Sequence, residues 1–113
     1  MNRHFLSFEE ISKATGGRWL DGQAASDGGV SSVSTDTRKI SPGSLFVALF
    51  GEKLNGHDFL RQAVEAGAGA LCVSDISKVP GEAAAKVPIL LVDDTTKAYQ
   101  RLGNFNRRRM KAR

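Results

Sequence analysis

"SPGSLFVALFGEKLNGHDFLRQAVEAGAGALCVS", Ser41 to Ser74, decides the fold class. Ser41-Pro42-Gly43 is a turn, since proline presets φ and glycine accepts a positive one. "LFVALF", Leu45 to Phe50, is a continuous apolar run bounded by turn signals, as expected for a strand buried on both faces. Asp58 is placed to cap a helix in which Phe59, Ala63 and Val64 recur at helical spacing, and Gly67 closes it. "ALCVS", Ala70 to Ser74, is a second short apolar run. Strand, helix and strand in this order make a βαβ unit.

The flanks extend this pattern. Ser7 and Glu10 form an S-x-x-E capping box for a helix carrying Ile11 and Ala14 on one face, and Gly16-Gly17 ends it. "RWLDGQAASDGG" reads as a short strand or loop with a turn at Asp21-Gly22. "VSSVS", Val30 to Ser34, reads as one edge strand. After Ser74, "DISKVPGEAAAKVP" reads as a surface crossover with at most a short helical turn, and "ILLV", Ile89 to Val92, as a third apolar strand. Asp94 or Thr95 can cap a last helix with Ala98, Leu102 and Phe105 on its apolar stripe. Gly103 inside that helix costs about 1 kcal/mol relative to alanine. The expected fold is a single α/β domain, a small mixed sheet of about 4–5 strands with flanking helices and no internal repeat.

Size and composition agree with this. The chain has 113 residues, 41% hydrophobic and 25% charged, ordinary values for one globular domain. No apolar run approaches the roughly 20 residues of a membrane-spanning helix, and the N-terminus lacks the pattern of a secretory signal. The single cysteine, Cys72, fits a reducing cytoplasm and reads as a buried, inert thiol. The sequence pI of 9.6 has one source. Residues 1–96 hold nine Lys/Arg against twelve Asp/Glu, whereas residues 97–113 hold seven Lys/Arg and no acid. The body is thus mildly acidic and the tail basic, so nucleic acid is not the expected partner; a protein using "RRRMKAR" as a nucleic-acid arm is the rival reading from another class.

The common catalytic signatures are absent from the sequence. No G-x-x-x-x-G-K-[ST] run occurs, so there is no phosphate loop of the ATPase type. "GAGALC" follows a helix and enters a strand, the reverse of the dinucleotide context. His4 and His57 have no second ligand at metal-binding spacing, and Asp93-Asp94 reads as a strand end and helix cap. No catalytic or metal-ligating residue is expected. What remains are the polar segments on either side of the apolar strand. Thr37 supplies a hydroxyl and Arg38 a planar cation, suited to a phosphate or diphosphate oxygen. Lys53, Asn55 and His57 lie on a glycine-containing loop that can bring backbone N–H groups near a ligand. The plain alternative is that Arg38 pairs with Asp36 or Asp58 and that Gly56-His57-Asp58 is a turn and cap. The residues alone leave both readings open.

Asp36-Thr37-Arg38, Pro42-Gly43, "LFVAL", Gly51, "GHDF" at 56–59 and the A-x-x-x-G-A of 63–68 occur in an order and spacing that resemble the N-terminal domain of the Mur ligases. The resemblance runs from about Ser7 to the C-terminus, nearest the MurF type that adds D-alanyl-D-alanine, with the MurE type second. It implies an α/β domain that holds the UDP portion of UDP-N-acetylmuramoyl-tripeptide in a cytoplasmic, peptidoglycan-building ligase. Carried over, Thr35 and Thr37 match nucleotide-contacting positions, and Lys53, Leu54 and Asn55 match a loop touching the UDP-sugar. Arg38, Gly56, His57 and Asp58 belong to the same motifs, with a contact role and a scaffold role both open. ATP and Mg²⁺ are implied for a central domain, and a C-terminal domain for the incoming amine; neither cofactor is expected on these residues, which should not ligate alone. Residues 1–96 would be the binding domain and 97–113 a basic helical exit toward the ATP-binding domain. One departure is Phe50, where MurF-type sequences often carry a basic residue.

Overall fold

The computed structural model describes residues 6–20, 28–49 and 59–111, the last six of these as backbone only. Strand β1 (Leu6–Ser7) leads into helix α1 (Phe8–Thr15). The expected capping box is formed: Glu10 N–H donates to Ser7 Oγ at 3.0 Å, and Ser7 N–H donates to Glu10 Oε1 at 2.9 Å. Gly16 stops the helix in the left-handed region at φ 76°. Strand β2 (Arg18–Trp19) follows; the Trp19 indole packs on Phe8 and donates to the Phe8 carbonyl at 2.9 Å.

The stretch expected as one strand at 30–34 is two. Strand β3 (Gly29–Val30) pairs with β1, and strand β4 (Val33–Ser34) joins the main sheet. The Pro42–Gly43 turn causes the break: Ser31 N–H donates to the Gly43 carbonyl at 3.0 Å and Ser31 Oγ to the Pro42 carbonyl at 2.9 Å. Those bonds take the serine backbone out of any ladder.

Strand β5 (Leu45–Val47), helix α2 (Leu60–Glu65) and strand β6 (Ala70–Val73) realise the βαβ unit. Phe59 occupies the helix N-cap, while the expected cap Asp58 lies outside the described residues. The crossover to strand β7 (Ile89–Leu91) is more ordered than its sequence suggested. It holds a 3-10 turn, Ile76–Lys78, and a full short helix α3 (Gly81–Lys86), because Ala83 has a sheet face to bury against. Helix α4 (Thr95–Lys111) closes the chain, capped as expected by Asp94, whose Oδ1 accepts from Lys97 N–H at 3.1 Å.

The main sheet has five strands in the order β2-β7-β6-β5-β4, with β4 to β7 parallel and β2 antiparallel. It is mixed and lies within the expected size. Alternation along the strands sorts the core into two layers. Leu45, Val47, Ala70, Cys72, Leu90 and Val92 share one cluster with Ile11 of α1 and Ala98 and Leu102 of α4. Phe46, Leu71, Val73 and Ile89 share the other with Leu60 and Ala63 of α2 and Ala83 of α3. Each of the large residues in β5 is fully buried, which at about 25 cal/mol per Å² is worth roughly 1.5–3 kcal/mol per side chain. The run's apolar continuity is thus the signature of a strand covered by helices on both faces.

Helix α4 belongs to this body for its first three turns. Ala98 and Leu102 are buried, Phe105 packs against the same cluster, and Arg101 donates to the Thr15 carbonyl at 3.0 Å. That bond satisfies a carbonyl at the C-terminal end of α1, where a cation is also favoured by the helix dipole.

Candidate functional site

Because β4 to β7 are parallel, their carboxyl ends lie on one edge of the sheet. That edge is where open α/β sheets take ligands. The expected site residues Thr35, Thr37 and Arg38 sit on it, directly after β4, in a turn that runs into a 3-10 segment over Thr37–Lys39. Residues 50–58, next in the chain after Leu49, lie outside the described residues, and with them Lys53, Leu54, Asn55, Gly56, His57 and Asp58. Their described flanks, Leu49 and Phe59, pack against opposite core layers.

The turn is built by Asp36. Its Oδ1 accepts from Arg38 N–H at 2.9 Å and from Arg38 Nε at 3.2 Å, and its Oδ2 accepts from the guanidinium at 3.1 Å. Asp36 N–H donates to Ser34 Oγ at 3.2 Å, and Ser34 Oγ donates back to the Asp36 carbonyl at 3.0 Å. The hydrogen bonds from Arg38 hold the Asp36 carboxyl below its usual range and raise the guanidinium in return. The Asp36 and Arg38 side chains are thus engaged with each other, and the Ser34 hydroxyl with the Asp36 backbone. The hydroxyls of half-buried Thr35 and Thr37 make no hydrogen bond among the described residues. The structure sorts the predicted trio: two hydroxyls unbonded among the described residues, and one cation already forked onto a carboxylate.

A second turn of the same kind follows β6, and sequence reading missed it. Asp75 caps a 3-10 segment over Ile76–Lys78, accepting from Ser77 N–H at 3.0 Å and Ser77 Oγ at 2.6 Å. The capping residues match closely: Asp36 at φ −127°, ψ 117° and Asp75 at φ −135°, ψ 100°. A sequence signal existed, since "DTRKISPG" and "DISKVPG" share Asp, a Lys three residues on, a β-branched residue and then Pro-Gly. The two turns flank the exit from β5.

Elsewhere the chemistry is quiet. Cys72 is fully buried, a core residue as expected, and that burial pushes its thiol up to about 12. A cleft of about 180 Å³ between α2 and α3, bridged by the Arg61–Glu82 ion pair, includes none of the turn's residues. Among the described residues no group of three or more metal-ligating side chains occurs, and no helix is long and apolar enough to cross a membrane.

A parallel-centred sheet between two helix layers, with hydroxyl-bearing turns on its carboxyl edge, defines an open α/β domain. The Mur ligase family, catalytic domain, matches residues 29–107, and the chain belongs to that family. It is 46% identical over 81 residues to the UDP-N-acetylmuramoyl-tripeptide–D-alanyl-D-alanine ligase of Escherichia coli, covering 72% of this chain and 17% of that protein. A UDP-N-acetylmuramoyl-L-alanyl-D-glutamate–2,6-diaminopimelate ligase of Chlorobium phaeobacteroides is 41% identical over 69 residues, 61% of this chain and 13% of the ligase. The crystal structure of MurF from Acinetobacter baumannii superimposes with a TM-score of 0.77 at 29% identity, over 92% of this chain and 21% of that one. The fold is that of the Mur ligase N-terminal domain, and the chain spans less than a quarter of the length of these relatives.

Proposed function

We propose that the carboxyl edge of this domain holds the UDP end of UDP-N-acetylmuramoyl-tripeptide for a MurF-type ligase that works in the cytoplasm. The observation that carries this reading is the pair of hydroxyls, Thr35 and Thr37, unbonded among the described residues and held on a fixed turn beside the exit of β5. Lys53, Leu54 and Asn55, with Gly56, His57 and Asp58, would complete the cradle from the neighbouring segment. Gripping a handle remote from the reacting carboxylate orients the peptide end, so binding energy here serves chemistry elsewhere.

ATP and Mg²⁺, which the ligation requires in this reading, do not fit these residues. The sequence has no ATPase-type phosphate loop, and the described residues offer no metal-ligand cluster. Both are assigned to a central domain, and the distal part of α4, within the proposed exit segment 97–113, would lead toward it. A MurE-type parent is the second reading, favoured by the 41% identity to the Chlorobium ligase.

An NMR titration of the isotope-labelled chain with UDP-N-acetylmuramoyl-tripeptide tests the proposal, with UDP and a short DNA duplex as controls. Saturable shifts centred on Thr35–Arg38 and Lys53–Asp58 are expected. Shifts confined to the basic end of α4, strongest with DNA, would replace this reading with the nucleic-acid one.

A further inference from the structure

We propose that Asp36 and Arg38 are a positioning pair for this edge: Arg38 holds the turn that presents the Thr35 and Thr37 hydroxyls and is not the cation that meets the diphosphate. The role of the hydroxyls rests on the UDP-binding reading above; the pairing rests on the turn's own bonds.

Two observations carry it. One edge of the guanidinium is already taken, since Nε and a terminal nitrogen of Arg38 donate to the two oxygens of Asp36 at 3.2 and 3.1 Å. A diphosphate competing for that edge would meet the Asp36 carboxylate already on it, and one reaching the outer edge would find the charge of the cation already countered by Asp36. The second observation is the twin turn after β6. There the residue two after the aspartate is Ser77, and its neutral hydroxyl donates to Asp75 Oδ1 at 2.6 Å in nearly the same backbone geometry. The position two residues after the aspartate therefore has one shared task, to hold the capping carboxylate with a side-chain donor. Charge is incidental to it.

The twin turn supplies the test. Arg38→Ser imports its solution, Arg38→Ala removes the donor, and Arg38→Lys keeps the charge without the fork. For UDP-N-acetylmuramoyl-tripeptide binding by calorimetry, Arg38→Ser is expected to stay within about twofold of the parent chain, while Arg38→Ala and Arg38→Lys fall about five- to tenfold. A diphosphate-binding arginine gives the opposite order, with Lys retained and Ser as weak as Ala, and that order overturns the inference. Amide hydrogen exchange of the ligand-free chain gives an independent arm. Protection of the Arg38 and Lys39 amides should be lost in Arg38→Ala and kept in Arg38→Ser; unchanged protection in Arg38→Ala overturns the inference whatever the ligand does. A parent chain that binds no UDP ligand sinks the UDP reading alone, and the exchange arm then decides the pair.

Discussion

Gly69 lies so close to Gly43 that a Cβ on Gly69 would fall 2.9 Å from the Gly43 Cα and 3.0 Å from its carbonyl carbon and oxygen. The contact is backbone on backbone, with Gly43 N–H donating to the Gly67 carbonyl at 2.8 Å and Gly69 N–H to the Ser44 carbonyl at 2.7 Å. Gly43 itself sits at φ 82°, where other residues are strained. These glycines pin the amino ends of β5 and β6 together, at the edge opposite Thr35 and Thr37. The family motif therefore divides in two: Asp36-Thr37-Arg38 serves the carboxyl edge, and Pro42-Gly43 with Gly67 serves the scaffold.

Gly69→Ala should accordingly destabilise the chain by about 1–3 kcal/mol, because neither backbone can give way without breaking the bonds beside it. Urea melts measure the loss. At temperatures where the variant stays folded, its UDP-ligand affinity should match the parent, and a selective fall in affinity would place the glycine pair in the site.

Cys72 links burial to pH. Its thiol is fully buried on the α1/α4 side of β6, and burial raises it from 9.0 to about 12. The folded state keeps a proton that the unfolded state releases, so stability is full below pH 9.0 and declines as pH rises toward about 12. Cys72→Ala should flatten that decline while costing stability at neutral pH through the lost volume. Native-state labelling by a thiol reagent should proceed no faster than unfolding; rapid labelling at neutral pH would contradict the burial.

Much of this was legible in the sequence because it depended on local pattern. The Ser7–Glu10 box, the Gly16 and Gly67 stops and the three apolar runs each state their role within a few residues. What escaped depended on distant partners. Val30 and Val33 look like one strand until Pro42 and Gly43 arrive to claim Ser31. "GEAAAK" looks like solvated crossover until the sheet gives Ala83 a face to bury on. The candidate site was half legible: residue types located the Thr35–Arg38 turn, but only geometry shows that Arg38 is committed to Asp36 while the threonine hydroxyls have no bond among the described residues. The six positions from Lys53 to Asp58 lie outside the described residues.

Helix α4 contains a test of where the body ends. Gly103 is exposed, and a Cβ there would meet nothing within 4 Å. Gly103→Ala should add about 0.5–1 kcal/mol by removing backbone freedom from the unfolded chain. Leu102→Ala, one residue earlier, should cost about 2–4 kcal/mol, since Leu102 is 2% exposed in the cluster shared with α1. Thermal melts of the two variants should therefore move in opposite directions. Equal, negligible shifts would mean that α4 is detached from the core in solution.

The hydroxyl pair offers the most direct check on the site. Thr37→Val keeps the branched shape and exchanges the Oγ1 hydroxyl for a methyl, and Thr35→Val does the same two residues earlier. Neither hydroxyl bonds within the described protein, so neither change removes an intramolecular hydrogen bond seen here, and melting temperatures should hold within a degree or so. A hydrogen bond to a charged or polar ligand is lost, and affinity for UDP-N-acetylmuramoyl-tripeptide should fall about three- to tenfold for each. Thr37→Ser, which restores the hydroxyl without the methyl, should recover most of that loss. If the Val variants bind as tightly as the parent while Lys53→Ala does not, the ligand is held from the β5–α2 segment alone and the β4 turn is only its neighbour.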